Sequence, residues 1–123
     1  MAALFPANSR EGGLVQLAVR TEGTGRMRTM DVNMVPVLTP PWDISEFYIG
    51  SPDGQVLTRY TAVTRQSSKE PISKVFEALN PRSKWKGDMV VMRHVQGHVE
   101  ELMNVGAEEI DLLATTIAAM GLN

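Results

Sequence analysis

Residues 85–120 constrain the fold most, because they read as one continuous folding unit: a lysine-flanked entry, an apolar strand, a turn, a second strand and a capped helix. Met89–Val95 is apolar on both parities apart from Arg93 and His94, the pattern of a central strand covered on both faces. Gln96-Gly97 supplies a turn, and residues 99–105 return. A final helix starts near Gly106 and runs to Met120, with Glu108, Glu109 and Asp111 at the positive end of its dipole and Gly121 placed to end it. Its expected buried face is Ile110, Leu113, Ile117 and Met120, widened by Leu112, Ala114 and Ala118. Such an apolar helix must pack on something, and one face of a sheet is the natural partner.

Upstream, two more strand pairs are legible. Residues 14–21 place Val15, Leu17 and Val19 on one face and Gln16 and Arg20 on the other, and residues 26–35 do the same with Met30, Val32 and Met34 against Asp31 and Asn33. Glu22-Gly23-Thr24-Gly25 between them offers the positive-φ positions of a hairpin. Three prolines in 36–41 break the ladder and mark a crossing. Residues 44–50 and 55–64 form the second pair around Ser51-Pro52-Asp53-Gly54, with proline where a turn wants φ near −65° and glycine where the chain bends back. This is the strongest local signal in the chain. A short helix follows, with Pro71 in its first turn, Ile72, Val75, Phe76 and Leu79 at helical spacing, and Asn80-Pro81 as its stop. The expected fold is a single α+β domain over 1–123, with 1–12 as a flexible segment: a mainly antiparallel curved sheet of about six strands, packed by a C-terminal helix and one short helix.

Composition narrows function mainly by exclusion. With 43% hydrophobic and 21% charged residues and a net charge of −2, the chain is an ordinary globular sequence, neither disordered nor strongly basic. Zero cysteines rule out disulfides, thiolate nucleophiles and cysteine-held zinc or iron–sulfur centres, and fit a reducing compartment. The apolar run Ala2–Phe5 lacks a basic lead and is too short for a signal-peptide core, and no run approaches the roughly 18 residues of a membrane span. A cytoplasmic protein without a membrane partner is the expectation.

His94 and His98 have a spacing that suits metal ligation on a helix, but they fall on a strand and turn. A two-residue turn at Gln96-Gly97 pairs Val95 with His98 and His94 with Val99, which sends the two imidazoles to opposite faces. No metal site or cofactor is expected. Adjacent carboxylates at Glu100-Glu101 and Glu108-Glu109 cannot flank one bond and read as a solvated edge and helix-start charges. Gly50-Ser51 lacks the frame of a nucleophile elbow, and Gly23-Thr24-Gly25 lacks the lysine and helix of a phosphate loop. Arg82, Lys84, Trp85 and Lys86 make a small basic-aromatic patch that could engage phosphates and stack a base, although a solvated turn with Trp85 as a core anchor accounts for it more simply. Charge also separates: Arg82, Lys84, Lys86 and Arg93 precede a tail carrying Glu100, Glu101, Glu108, Glu109 and Asp111 with no lysine or arginine.

Asn80-Pro81, the Trp85-Lys86-Gly87-Asp88 step, Met89-Val90-Val91-Met92-Arg93 and the run from Asn104-Val105 to Ile110-Asp111-Leu112-Leu113 together resemble short uncharacterised proteins of mushroom-forming fungi. The resemblance covers the C-terminal third. It implies a small single-domain intracellular protein and carries no activity or catalytic residue with it.

The sequence therefore favours a non-enzymatic protein-interaction or self-associating module, using an exposed sheet edge, methionine-rich surface or the polarised C-terminal unit. The alternative is a small-molecule-binding protein or small enzyme with a pocket between the sheet and the C-terminal helix, where His94, Tyr48, Tyr60, Arg93 or Trp85 supply polar groups. A weak nucleic-acid binder through the Trp85 segment ranks third.

Overall fold

The computed structural model describes residues 1–22, 29–65, 69–95 and 98–120. Among these residues eight strands and two helices follow in the order β1 (Ala2–Phe5), β2 (Gly13–Val15), β3 (Ala18–Glu22), β4 (Thr29–Asn33), β5 (Trp42–Gly50), β6 (Leu57–Arg65), α1 (Lys74–Leu79), β7 (Met89–Val95), β8 (His98–Met103) and α2 (Ile110–Met120). A 3-10 turn, Ala107–Glu109, leads into α2. Six strands form one antiparallel sheet in the order β2-β1-β7-β6-β5, with β8 continuing beside β7 beyond β1, while β3 and β4 pair separately.

β7 is the centre, as its unbroken apolar run requires: Met89, Val90 and Val91 are fully buried. Alternation sends them to two cores. Met89 and Val91 join Phe5, Tyr60, Phe76, Leu113 and Ile117 beneath the helices, whereas Val90 joins Ala2, Met34, Leu38 and Val63 on the opposite face. The expected α+β architecture, an antiparallel sheet of six strands packed by a short and a C-terminal helix, is present.

Residues 1–12 are not the loose leader the sequence suggested. β1 is inserted between β7 and β2, with Ala3 opposite Val91 and Phe5 opposite Met89, and its side chains are small or apolar enough to fill the layer. The following loop is pinned as well: Ala7 N–H donates to Asp88 Oδ1 at 2.8 Å, and Lys74 N–H donates to Ala7 O at 3.0 Å.

Other departures have local causes. The 14–21 alternation is split at residues 16 and 17 between β2 and β3, which belong to different sheets. Its expected turn falls largely outside the described residues, as do Gln96-Gly97 and Gly121. Pro71 and Ile72 precede the short helix instead of opening it, because Ile72 bridges to Lys86, Gly87 N–H reaches Pro71 O and Ser73 N–H reaches Trp85 O. Asn80 ends α1 in an extended conformation, as a residue before proline should. On α2 the covered stripe is Leu113, Ala114, Ile117 and Ala118, whereas Leu112 and Met120 are 52% and 38% exposed, because the sheet contacts a narrower arc than the apolar sequence offers. Val95 pairs with His98 as expected, but His94 pairs with Leu102 instead of Val99 because the ladder carries an irregularity between His94 and Val95.

Candidate functional site

Of the eight sequence candidates, Tyr60 and Arg93 come together on one carboxylate, and the rest do not join them. Parity along β6 and β7 puts Tyr60 and Arg93 on the helix-covered face and His94 on the other, where its Nε2 lies 2.6 Å from Thr61 Oγ1. The side chain of His98 is outside the described set. Tyr48, one position beyond Phe47 on β5, points away from the helices and is exposed. Arg82, Lys84 and Lys86 are exposed, but Trp85 between them packs on the helix-side core and its indole N–H donates to Ile117 O at 2.9 Å. Its polar edge therefore fastens the loop to α2.

Tyr60 and Arg93 meet at a residue the sequence reading left as a helix-start charge. Glu109 Oε2 accepts from the Tyr60 hydroxyl at 2.8 Å, while Oε1 accepts from Arg93 Nη1 at 2.7 Å and Gly106 N–H at 3.1 Å. Burial pushes the Glu109 carboxyl up, but those three donors outweigh it and hold it below the usual glutamate range. Burial first, then the adjacent carboxylate, raises the Tyr60 phenol to about 12 against a smaller opposing pull from Arg93. Glu109 stands three residues after Gly106, the spacing at which a glutamate accepts the N-cap backbone N–H, and that spacing is the one local signal that could have singled it out. Arg93 belongs to the basic segment and Glu109 to the acidic one, so the charge boundary is closed by an internal ion pair. With both oxygens engaged, this cluster is a clasp between sheet and helix.

Two recesses stand out among the described residues. An open groove of about 520 Å³ runs between α1, α2 and β2, floored by Val75, Leu79, Ile110 and Ala114 with Arg10 and Asp111 at its rim. A smaller one of about 220 Å³ is lined by Met1, Leu17, Met92, Leu102 and Met103. None of the eight candidate residues lines either recess. The methionines divide between roles: Met34 and Met89 fill the cores, while Met1, Met103 and Met120 reach the surface.

The remaining surface feature is the β5 edge. Among the described residues the three most exposed large apolar side chains are Ile44, Leu57 and Tyr48, at 64%, 60% and 58%. Register puts all three on one face: Gly50 opposes Leu57, Tyr48 opposes Arg59 and Ile44 opposes Val63. Arg59 pairs with Glu46 in the middle of that strip. Among the described residues β5 pairs only with β6, so its outer backbone row is open over nine residues. Ser51 N–H bonds to Val56 O at 2.7 Å, which fixes the alternation of the ladder. Odd-numbered β5 residues therefore bond inward, and Trp42, Ile44, Glu46, Tyr48 and Gly50 present N–H and C=O outward.

No protein-family description, curated protein or solved structure matches this chain. Among the described residues no helix is long and apolar enough to cross a membrane.

Proposed function

We propose that this protein is a non-enzymatic protein-interaction module whose docking site is the outer edge of β5, where a partner adds one strand to the sheet. The observation that carries this reading is the coincidence of an open nine-residue backbone row with the three most exposed large apolar side chains. Such an edge is a template for another strand unless it is blunted, and β5 contains no proline or lysine. Main-chain bonds supply affinity, and Ile44, Tyr48 and Leu57 supply side-chain selectivity.

The eight residues read from the sequence enter this proposal unevenly. Tyr48 belongs to the docking strip, Tyr60 and Arg93 brace the sheet behind it, and His94 and the Arg82, Lys84, Trp85 and Lys86 segment lie outside it. The groove between α1, α2 and β2 supports a second reading, a small apolar ligand held without catalysis, through its apolar floor and volume of about 520 Å³.

Strand addition is tested by amide hydrogen exchange at Ile44, Glu46, Tyr48 and Gly50 in dilute protein, with and without a lysine-terminated nine-residue peptide of alternating threonine and valine. Slowed exchange at these outward amides is the expected result. Amides that stay fast with the peptide and at high protein concentration alike would overturn the reading.

A further inference from the structure

Resting on that reading of the β5 edge, we infer that its partner is a second copy of this chain, paired antiparallel about a two-fold axis at Phe47. An antiparallel edge is complementary to itself under such an axis, because each outward N–H then meets an outward C=O of the same strand. The axis stands perpendicular to the sheet, so facing side chains share a face, and even-numbered residues must pair with even-numbered ones.

Prolines and charge select the register. An axis at Ser45 sets the Glu46 carboxylate of one copy against the apolar Ile44 of the other, and an axis at Tyr48 brings Pro52 against Ile44. Proline lacks the N–H that the ladder needs, so the Tyr48 register is shortened. An axis at Glu46 sets the two Glu46 carboxylates directly opposite, which cross-strand pairing disfavours. Centring on Phe47 avoids all three, and its own proline contact, Pro52 opposite Trp42, falls at the strand end and removes a single bond. Ile44 then opposes Gly50, Ser45 opposes Ile49 and Glu46 opposes Tyr48, with about eight main-chain bonds between the copies.

The side chains left exposed in one copy are matched by this arrangement. Gly50 carries no side chain, and a Cβ placed there would sit 3.5 Å from Leu57 Cδ2, so Leu57 already leans over it. In the pair, Ile44 of one copy comes into the row that holds Gly50 and Leu57 of the other. The two most exposed large apolar residues thus face each other over a glycine gap, and they do so twice by symmetry. Glu46 meets the phenol of Tyr48, a donor, and not another carboxylate.

The chain has no cysteine, so introduced thiols report the register cleanly. Light scattering across a concentration series is expected to show twice the 13.5 kDa chain mass, returning to the single mass in Ile44→Pro and in Leu57→Glu. The first variant removes one outward N–H, and the second leaves the β5 backbone untouched and puts charge in the shared row. Mixing Ile44→Cys with Gly50→Cys protein under diamide should give the mixed disulfide, whereas mixing Ile44→Cys with Tyr48→Cys should not. The reverse cross-linking pattern overturns the Phe47 register but keeps the edge as the docking site. A strict monomer whose edge amides are nevertheless protected by the threonine–valine peptide overturns the second copy as partner and leaves the strand-addition reading standing. A dimer that persists in both Ile44→Pro and Leu57→Glu overturns the edge as the seam between copies, and fast edge amides in that dimer overturn strand addition as well.

Discussion

Glu109 shows how one carboxylate can join elements far apart in the sequence. Tyr60 on β6, Arg93 on β7 and the Gly106 amide all donate to it, so replacing it strands an arginine and a phenol together. Glu109→Gln is expected to cost about 1–3 kcal/mol in urea unfolding, and Tyr60→Phe about 1 kcal/mol. The same cluster sets a pH window. The Glu109 pKa is lower in the folded state, so its contribution is present above the unfolded carboxylate value and is lost as pH falls through the depressed one. The Tyr60 pKa is raised to about 12, so its contribution is complete below the unfolded value and is lost as pH climbs through about 12. Stability from this cluster should be flat from about pH 5 to about pH 9, with an acid limb removed by Glu109→Gln and an alkaline limb removed by Tyr60→Phe. Denaturant midpoints measured across pH check this, and an alkaline limb unchanged in Tyr60→Phe would count against it.

Among the elements, two glycines separate turn chemistry from packing. Gly54 adopts φ +74° in the β5–β6 turn, where Ser51 O accepts its N–H at 2.9 Å and nothing lies within 4 Å of an added Cβ. Gly54→Ala should cost about 1 kcal/mol, from backbone conformation alone. A Cβ on Gly12, by contrast, would come within 2.5 Å of the Phe5 ring and 3.0 Å of Ile110. Phe5 cannot yield easily, being fully buried with its ring 5.2 Å from that of Phe76. Gly12→Ala should therefore cost more, about 1–3 kcal/mol, and thermal unfolding of the two variants should rank them in that order. The first effect follows from the Ser51-Pro52-Asp53-Gly54 run, because turn chemistry is a property of adjacent residues. The second cannot be read that way, since it exists only once residues 5, 12 and 110 are brought together.

Across the whole molecule, β7 divides two cores that share no buried residue. Val90→Ala and Val91→Ala, although neighbours in sequence, open cavities on opposite sides of the sheet. Each should cost about 2 kcal/mol, and the double variant should equal their sum within about 0.5 kcal/mol. A larger coupling in the double-mutant cycle would mean that the two cores communicate through the sheet. What the sequence determined by itself is what neighbouring residues encode: the β5–β6 hairpin, β7 as a doubly covered strand, the stop at Asn80-Pro81 and the existence of α2. Strand order, the insertion of β1 beside β7, the Tyr60–Glu109–Arg93 clasp and the open edge of β5 were decided only in three dimensions. Alternation tells which face of a strand is buried but not which strand lies next to it. That choice rests on how all the apolar faces can be covered at once, and here covering them leaves the outer edge of β5 open.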